Sequence, residues 1–155
     1  MKICVGITVH KPFDNNGKIA STGKIHIGLI RQLMQNPYFK QKPPKSTGRE
    51  LFGEEFQDMV LRKSKGLRRE DILATVTEFT ALSVYDSYLH FIKKKTKLDE
   101  LLVSGGGAHN SYIMKALAMY FAGTKVQVLP AKNFSPDAKE AVCFALLANE
   151  TISGN

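Results

Sequence analysis

The stretch Leu101-Leu102-Val103-Ser104-Gly105-Gly106-Gly107-Ala108-His109-Asn110 decides the fold of this chain. Three apolar residues form a short strand, the glycines allow a sharp turn, and Asn110 is a good cap for a following helix. That helix carries Ile113, Met114, Leu117 and Phe121 and closes at Gly123, where a helix C-terminus favours glycine. Val126-Gln127-Val128-Leu129 reads as a second strand. Ser135-Pro136-Asp137 then opens a last helix, with serine at the cap, proline in the first turn and an acid near the positive end. This helix is expected to bury Ala138, Ala141, Val142, Ala145 and Ala148. Strand, glycine turn, helix, strand, helix makes an α/β unit whose strands run parallel.

Upstream the chain is helical. Asp14-Asn15-Asn16-Gly17 is turn chemistry, and apolar residues from Ile19 to Met34 suggest a helix over Lys18–Gln35, weakened by Gly23 and Gly28. Asn36-Pro37 ends it. An extended stretch from Tyr38 to Thr47 holds Pro43-Pro44, and Thr47-x-x-Glu50 is a capping-box pattern for a helix running to about Ser64. A longer helix is expected over Glu70–Lys94. The fold class is therefore α/β, helix-rich with a small sheet.

With 155 residues, 43% hydrophobic and 23% charged, the chain has the composition of one globular domain with a real core. No apolar run approaches the ~18 residues of a membrane-spanning helix. Met1 to Val9 reads as a strand or an irregular lead-in rather than a signal peptide, since no small-residue cleavage site precedes Lys11. The two cysteines, Cys4 and Cys143, lack metal or disulfide spacing, which fits a reducing cytoplasm. A net charge of +8 is compatible with nucleic acid, an anionic membrane or a phosphorylated ligand. The basic clusters Arg62–Arg69 and Lys93–Lys97 flank helix ends, where solvated charge is the ordinary explanation. With no nucleic-acid motif, no aromatic-basic interleaving and no apolar run of membrane length, neither nucleic acid nor a membrane is the expected partner.

Three places could carry chemistry. Gly105, Gly106 and Gly107 remove every Cβ from the C-terminal end of a strand, where open α/β sheets bind nucleotides. A tight strand-to-helix turn would use the same residues, and topology alone does not choose between the two. No GxxxxGK[ST] phosphate loop is present. Lys45-Ser46-Thr47-Gly48-Arg49 could contact an anionic or polyhydroxy ligand, or simply cap a helix behind a proline-stiffened loop. Glu140, early in the last helix, suits the helix dipole as an ordinary surface acid. His109 could bond a ligand or face water, His26 and His90 show no partner, and hydrolase triads and paired-carboxylate motifs are missing.

Taken together, the segments FDNNGKIASTGKI from Phe13, NPYFKQKPPKSTGRELF, DILATVTEFTALSV, LLVSGGGAHN and SPDAKEAVCFALLA occur in an order that resembles the anhydro-N-acetylmuramic acid kinases. The resemblance implies the C-terminal lobe of an actin-like (ribonuclease H-like) sugar kinase over residues 13–155, after a divergent lead-in at 1–12. It implies ATP, with Mg2+, as phosphoryl donor and 1,6-anhydro-N-acetylmuramic acid as acceptor at O6, with opening of the anhydro ring during cell-wall sugar recycling in the cytoplasm. By the same resemblance Gly105, Gly106, Gly107 and Asn110 hold the adenosine part of ATP. Glu140 belongs to the sugar site, and Lys45, Ser46, Thr47, Gly48 and Arg49 line the cleft.

The departures also carry expectations. The family's Gly-x-Met-Ser-Gly-Thr-Ser-x-Asp-Gly phosphate segment and the aspartate that serves as general base have no counterpart here, and no metal ligands are expected. A chain without those parts is expected to be inactive alone. The alternative is a non-catalytic remnant that binds nucleotide or forms a homodimer through the face the other lobe would cover.

Overall fold

The computed structural model describes residues 13–129 and 139–153. Helix α1 spans Ile27–Leu33, α2 Arg49–Phe52, α3 Glu54–Lys63 and α4 Arg69–Phe91. Strand β1 (Glu100–Val103) is followed by α5 (Ser111–Tyr120), β2 (Lys125–Val128) and α6 (Lys139–Ile152). The expected pair of strands is present and parallel, Leu101 lying beside Val126 and Val103 beside Val128. The Met1–Val9 lead-in, the Ser135-Pro136-Asp137 start and Ala138 lie outside the described residues.

Helix α4 is the spine. Its first half, through Ile72, Val76 and Phe79, packs with Leu29, Ile30 and Leu33 of α1, Phe39 and Val60 of α3. Its second half, from Ala81 through Tyr85 and Tyr88, packs with Ile113, Ala116, Leu117 and Phe121 and with Leu101, Val103 and Val126 of the sheet. Small residues at the crossing allow close approach: Ala81 and Ala116 are buried where α4 meets α5. The Lys18–Gln35 helix is corrected to two separate pieces, a 3₁₀ turn at Ala20–Thr22 and α1.

The reason lies in a period of three. Asp14, Gly17, Ala20 and Gly23 recur at every third residue, and the chain forms 3₁₀ turns at Asn15–Gly17 and Ala20–Thr22, in which residues three apart share a side. The Asp14 carboxylate accepts the N–H groups of Ile19 and Ala20, both at 2.9 Å. Gly17, at φ +71°, lies against the Asn110 carboxamide and 2.7 Å from Tyr112 Cβ for any added Cβ. Ala20 is fully buried against Leu73. Gly23 lies on the carbonyl of Glu70. The next amides are used by α4 rather than by an upstream helix: Lys24 N–H donates to Asp71 Oδ1 at 2.7 Å and His26 N–H to Thr75 Oγ1 at 2.9 Å. His26 then caps α1, its Nδ1 accepting Leu29 N–H at 3.0 Å, and His90 meets Asp86 at 3.3 Å. Both histidines therefore have side-chain partners within the same turn of chain, Leu29 N–H for His26 and Asp86 for His90.

Two further expectations change. The Thr47–Ser64 helix breaks at Gly53, which lies on the Arg49 carbonyl, and its cap is Gly48 rather than Thr47. In place of the Thr47 capping box, Glu50 accepts the Gly48 N–H at 2.5 Å. In α6, Ala141, Ala145 and Ala148 are exposed, not buried, as are Phe144 and Leu146. The helix itself is present, but no packing among the described residues covers these side chains.

A methyl group at Gly23 must push back the α4 backbone, so Gly23→Ala is expected to lower stability by about 1–3 kcal/mol, read as a lowered urea midpoint. Asp71 is held at about 2, first by its hydrogen bond from Arg68 and then by Lys24 N–H. Its folded value lies below its unfolded one, so its contribution is present above about pH 4 and lost as pH falls through about 2. Thermal midpoints measured between pH 5 and 2 are expected to fall less steeply in Asp71→Asn, from a lower plateau.

Candidate functional site

After Val103 the chain leaves β1 and reverses at Gly105, whose φ of +76° is a left-handed conformation that favours glycine. Gly106–His109 form one 3₁₀ turn, and α5 follows. Ala108 is buried beneath this turn, while Gly106 and Gly107 are exposed above it. Neither Gly106 nor Gly107 has a positive φ, and a Cβ built on either meets nothing within 4 Å. Among the described residues, backbone and packing therefore do not require glycine at 106 and 107. They leave bare peptide at the C-terminal end of a parallel strand, one turn before a helix.

Asn110 has a structural task. Only 7% exposed, it turns its side-chain oxygen to Tyr112 N–H at 3.0 Å and Ile113 N–H at 3.2 Å. The adjoining wall comes from the far end of the sequence. Ser111 N–H donates to Asn16 Oδ1 at 3.1 Å and Ser111 Oγ to the Asn16 carbonyl at 2.8 Å, across 95 residues. Asn16 holds φ 57° to do so. This clip was not singled out from sequence, where Asn16 read only as a turn residue. Asp14, which folds the clip, is the residue whose spacing to Gly17 and Ala20 could have revealed it.

Behind the turn, Glu78 of α4 accepts the hydroxyl of Tyr120 at 2.5 Å. Burial, reinforced by this hydrogen bond, pushes the Tyr120 phenol up, and burial with the Glu78 charge does the same for Tyr112. Both phenols stay neutral at physiological pH, and the pair ties α4 to α5 without offering a titrating group.

The segment Lys45–Arg49 is placed elsewhere. Lys45 Nζ sits 4.4 Å from the Tyr38 ring centroid and 4.8 Å from that of Phe91, and donates to the Tyr38 carbonyl at 2.9 Å. It fastens the Pro37–Lys40 turn to the end of α4, so its charge is used internally. Ser46, Thr47, Gly48 and Arg49 are exposed. Glu140 lies in the first turn of α6, and its side chain is outside the described residues. No cluster of three or more His, Cys, Asp or Glu able to hold a metal occurs among the described residues. No described helix is long and apolar enough to cross a membrane.

The family model for anhydro-N-acetylmuramic acid kinase matches residues 1–154. The chain belongs to that family. Curated relatives bearing the same name include proteins of Francisella tularensis subsp. novicida, 41% identical over 149 residues, and Clostridioides difficile, 41% identical over 146 residues. The Salinibacter ruber relative is 42% identical over 147 residues. These matches cover 92–95% of this chain but only 36–38% of each relative. The chain thus spans well under half the length of the anhydro-N-acetylmuramic acid kinases it resembles.

If Lys45 is structural, Lys45→Met is expected to lower unfolding free energy by roughly 1–2 kcal/mol while leaving nucleotide affinity unchanged. Urea denaturation beside a nucleotide titration of the same variant measures both.

Proposed function

We propose that this chain is the nucleotide-binding lobe of an anhydro-N-acetylmuramic acid kinase, the C-terminal lobe of an actin-like fold. One observation carries the reading: Gly106 and Gly107 are bare where nothing among the described residues requires it. A planar or phosphorylated ligand lying on these peptides would be excluded by any larger residue, and the first amides of a helical turn lack intrahelical partners. Family membership makes the adenosine part of ATP the fitting ligand. Gly105 sets the turn, Gly106 and Gly107 form its floor, and Asn110 with Asn16 keeps the α5 end in place.

Phosphoryl transfer depends on positioning and on charge stabilisation around the phosphates. In this reading the sugar, 1,6-anhydro-N-acetylmuramic acid, receives the γ-phosphate at O6 in a cytoplasmic recycling step, and Glu140 is assigned to the sugar site by the family resemblance. Mg2+ would be held chiefly through the nucleotide's phosphates, as this ion usually is, which needs no cage of protein carboxylates. The sequence contains neither the family's phosphate segment nor its general-base aspartate. The chain alone therefore binds nucleotide without turning it over.

Titration calorimetry with ATP and Mg2+ tests this directly. Binding is expected for the parent chain and is lost in Gly106→Val, whose thermal stability stays close to the parent's because the added side chain meets open space. Equal affinity in the two proteins would remove the glycine turn from the site. A coupled ADP assay with the anhydro sugar is expected to show no turnover by this chain, and turnover would overturn the partial-site reading.

A further inference from the structure

Lys45 is a half-buried cation without a counter-charge. Its Nζ rests 4.4 and 4.8 Å from the ring centroids of Tyr38 and Phe91 and donates to the Tyr38 carbonyl at 2.9 Å. Carbonyls and rings orient an ammonium but leave its charge in place, and no carboxylate meets it among the described residues. Lys45 stands in the wall of a hollow of about 520 Å³ between Pro43 and the C-terminal end of α4. Lys95 and Thr96 line the same hollow, and no acidic residue does. Lys95 makes no ion pair among the described residues, and Lys93 and Lys94 precede it on the exposed turn after α4. The basic cluster that follows α4 thus meets Lys45 around one space, where an anion pairs with two ammonium groups.

The hollow adjoins apolar space. Tyr38, Ser87 and Ile92 line it and also line a larger cavity of about 620 Å³ along α4, in whose walls no charged residue takes part. Gln57 lies in the lining of this cavity. Only 3% exposed, it has a side-chain oxygen with no hydrogen-bond partner among the described residues. Buried acceptors are normally paired, so this oxygen is a place for a donor. Ring contacts from Tyr38 to Phe52 and from Phe52 to Phe56, at 5.9 and 5.0 Å, lead from the lysine end to the neighbour of Gln57. Cations at one end, apolar wall between and a stranded acceptor at the other describe a single kind of ligand.

We propose that the two spaces form one binding site for a small amphipathic anion, a carboxylate on an apolar chain that bears a hydrogen-bond donor at its far end. The carboxylate lies between Lys45 and Lys95, the chain runs along Phe52 and Val84, and the donor meets Gln57 Oε1. Copies of this chain, each at +8, repel one another at such a mouth, which favours a small anion over a second copy. The site lies at the end of α4 opposite Gly23 and does not depend on a nucleotide at Gly106.

The probe is ω-hydroxydecanoate, kept below its micellar concentration and followed by titration calorimetry and side-chain NMR shifts of the whole chain. Decanoate lacks the far donor, and α,ω-decanediol lacks the charge. The hydroxy acid is expected to bind at one site, decanoate about threefold more weakly and the diol at least about tenfold more weakly. Lys95→Glu, at an exposed position, is expected to weaken the hydroxy acid at least about tenfold. Lys65→Glu makes the same change of charge ahead of α4 and is expected to alter affinity less than about twofold at physiological salt. Gln57→Leu replaces the stranded oxygen with apolar surface, so the fold is kept while the hydroxy acid and decanoate come to bind alike. Far-UV circular dichroism verifies that each variant keeps its helices. No binding by the parent chain, no preference over decanoate or the diol, or indifference to Lys95→Glu overturns the proposal. So does a preference for the hydroxy acid over decanoate that survives Gln57→Leu.

Discussion

Everything in this chain hangs on α4 as a shared wall between two cores. A helix of 23 residues with apolar side chains around its circumference cannot be satisfied by one neighbour. Its first half is covered by α1, α3 and the aromatic group of Tyr38, Phe39, Phe52 and Phe56, where Phe79 makes ring contacts with Phe39, Phe52 and Phe56. Its second half is covered by α5 and the sheet face. The glycine turn inherits its position from that second contact, because α5 starts where the turn ends and Ala81 lets α4 and α5 approach closely.

The turn is also fixed from the other side. The Asp14–Gly23 run reaches the start of α5 through Asn16 and Gly17 and the start of α4 through Gly23 and Lys24, bracing both helices at the end nearest the exposed glycines. Rigid surroundings with two bare peptides at the centre suit a ligand that rests on backbone rather than on side chains. The chain spans about 38% of the length of its Francisella relative.

Much of this was legible beforehand. The strand–turn–helix–strand order, the Asn110 cap and the parallel pairing followed from local patterns, and one of these segments, LLVSGGGAHN, is among the five that carry the family resemblance. What local patterns misjudged has a common cause. Apolar spacing over Lys18–Gln35 looked helical because Ile25, Leu29 and Leu33 are periodic, yet the amides of Lys24 and His26 are taken by α4 side chains. For Lys45 local patterns leave a ligand contact and a capped loop both open, because its aromatic and carbonyl partners are separated from it in sequence or invisible as carbonyls. The small residues of α6 looked like a buried face, and burial depends on what else is present to cover them.

By itself, then, the sequence determined where backbone hydrogen bonds close locally, where glycine must turn the chain and which family the motifs belong to. These depend on neighbours a few residues away. Only the tertiary structure decided that Gly17 and Asn16 form the wall of the turn and that Lys45 is a fastener. Those outcomes rest on contacts such as Asn16 with Ser111, brought together by packing across the domain, which no local period encodes.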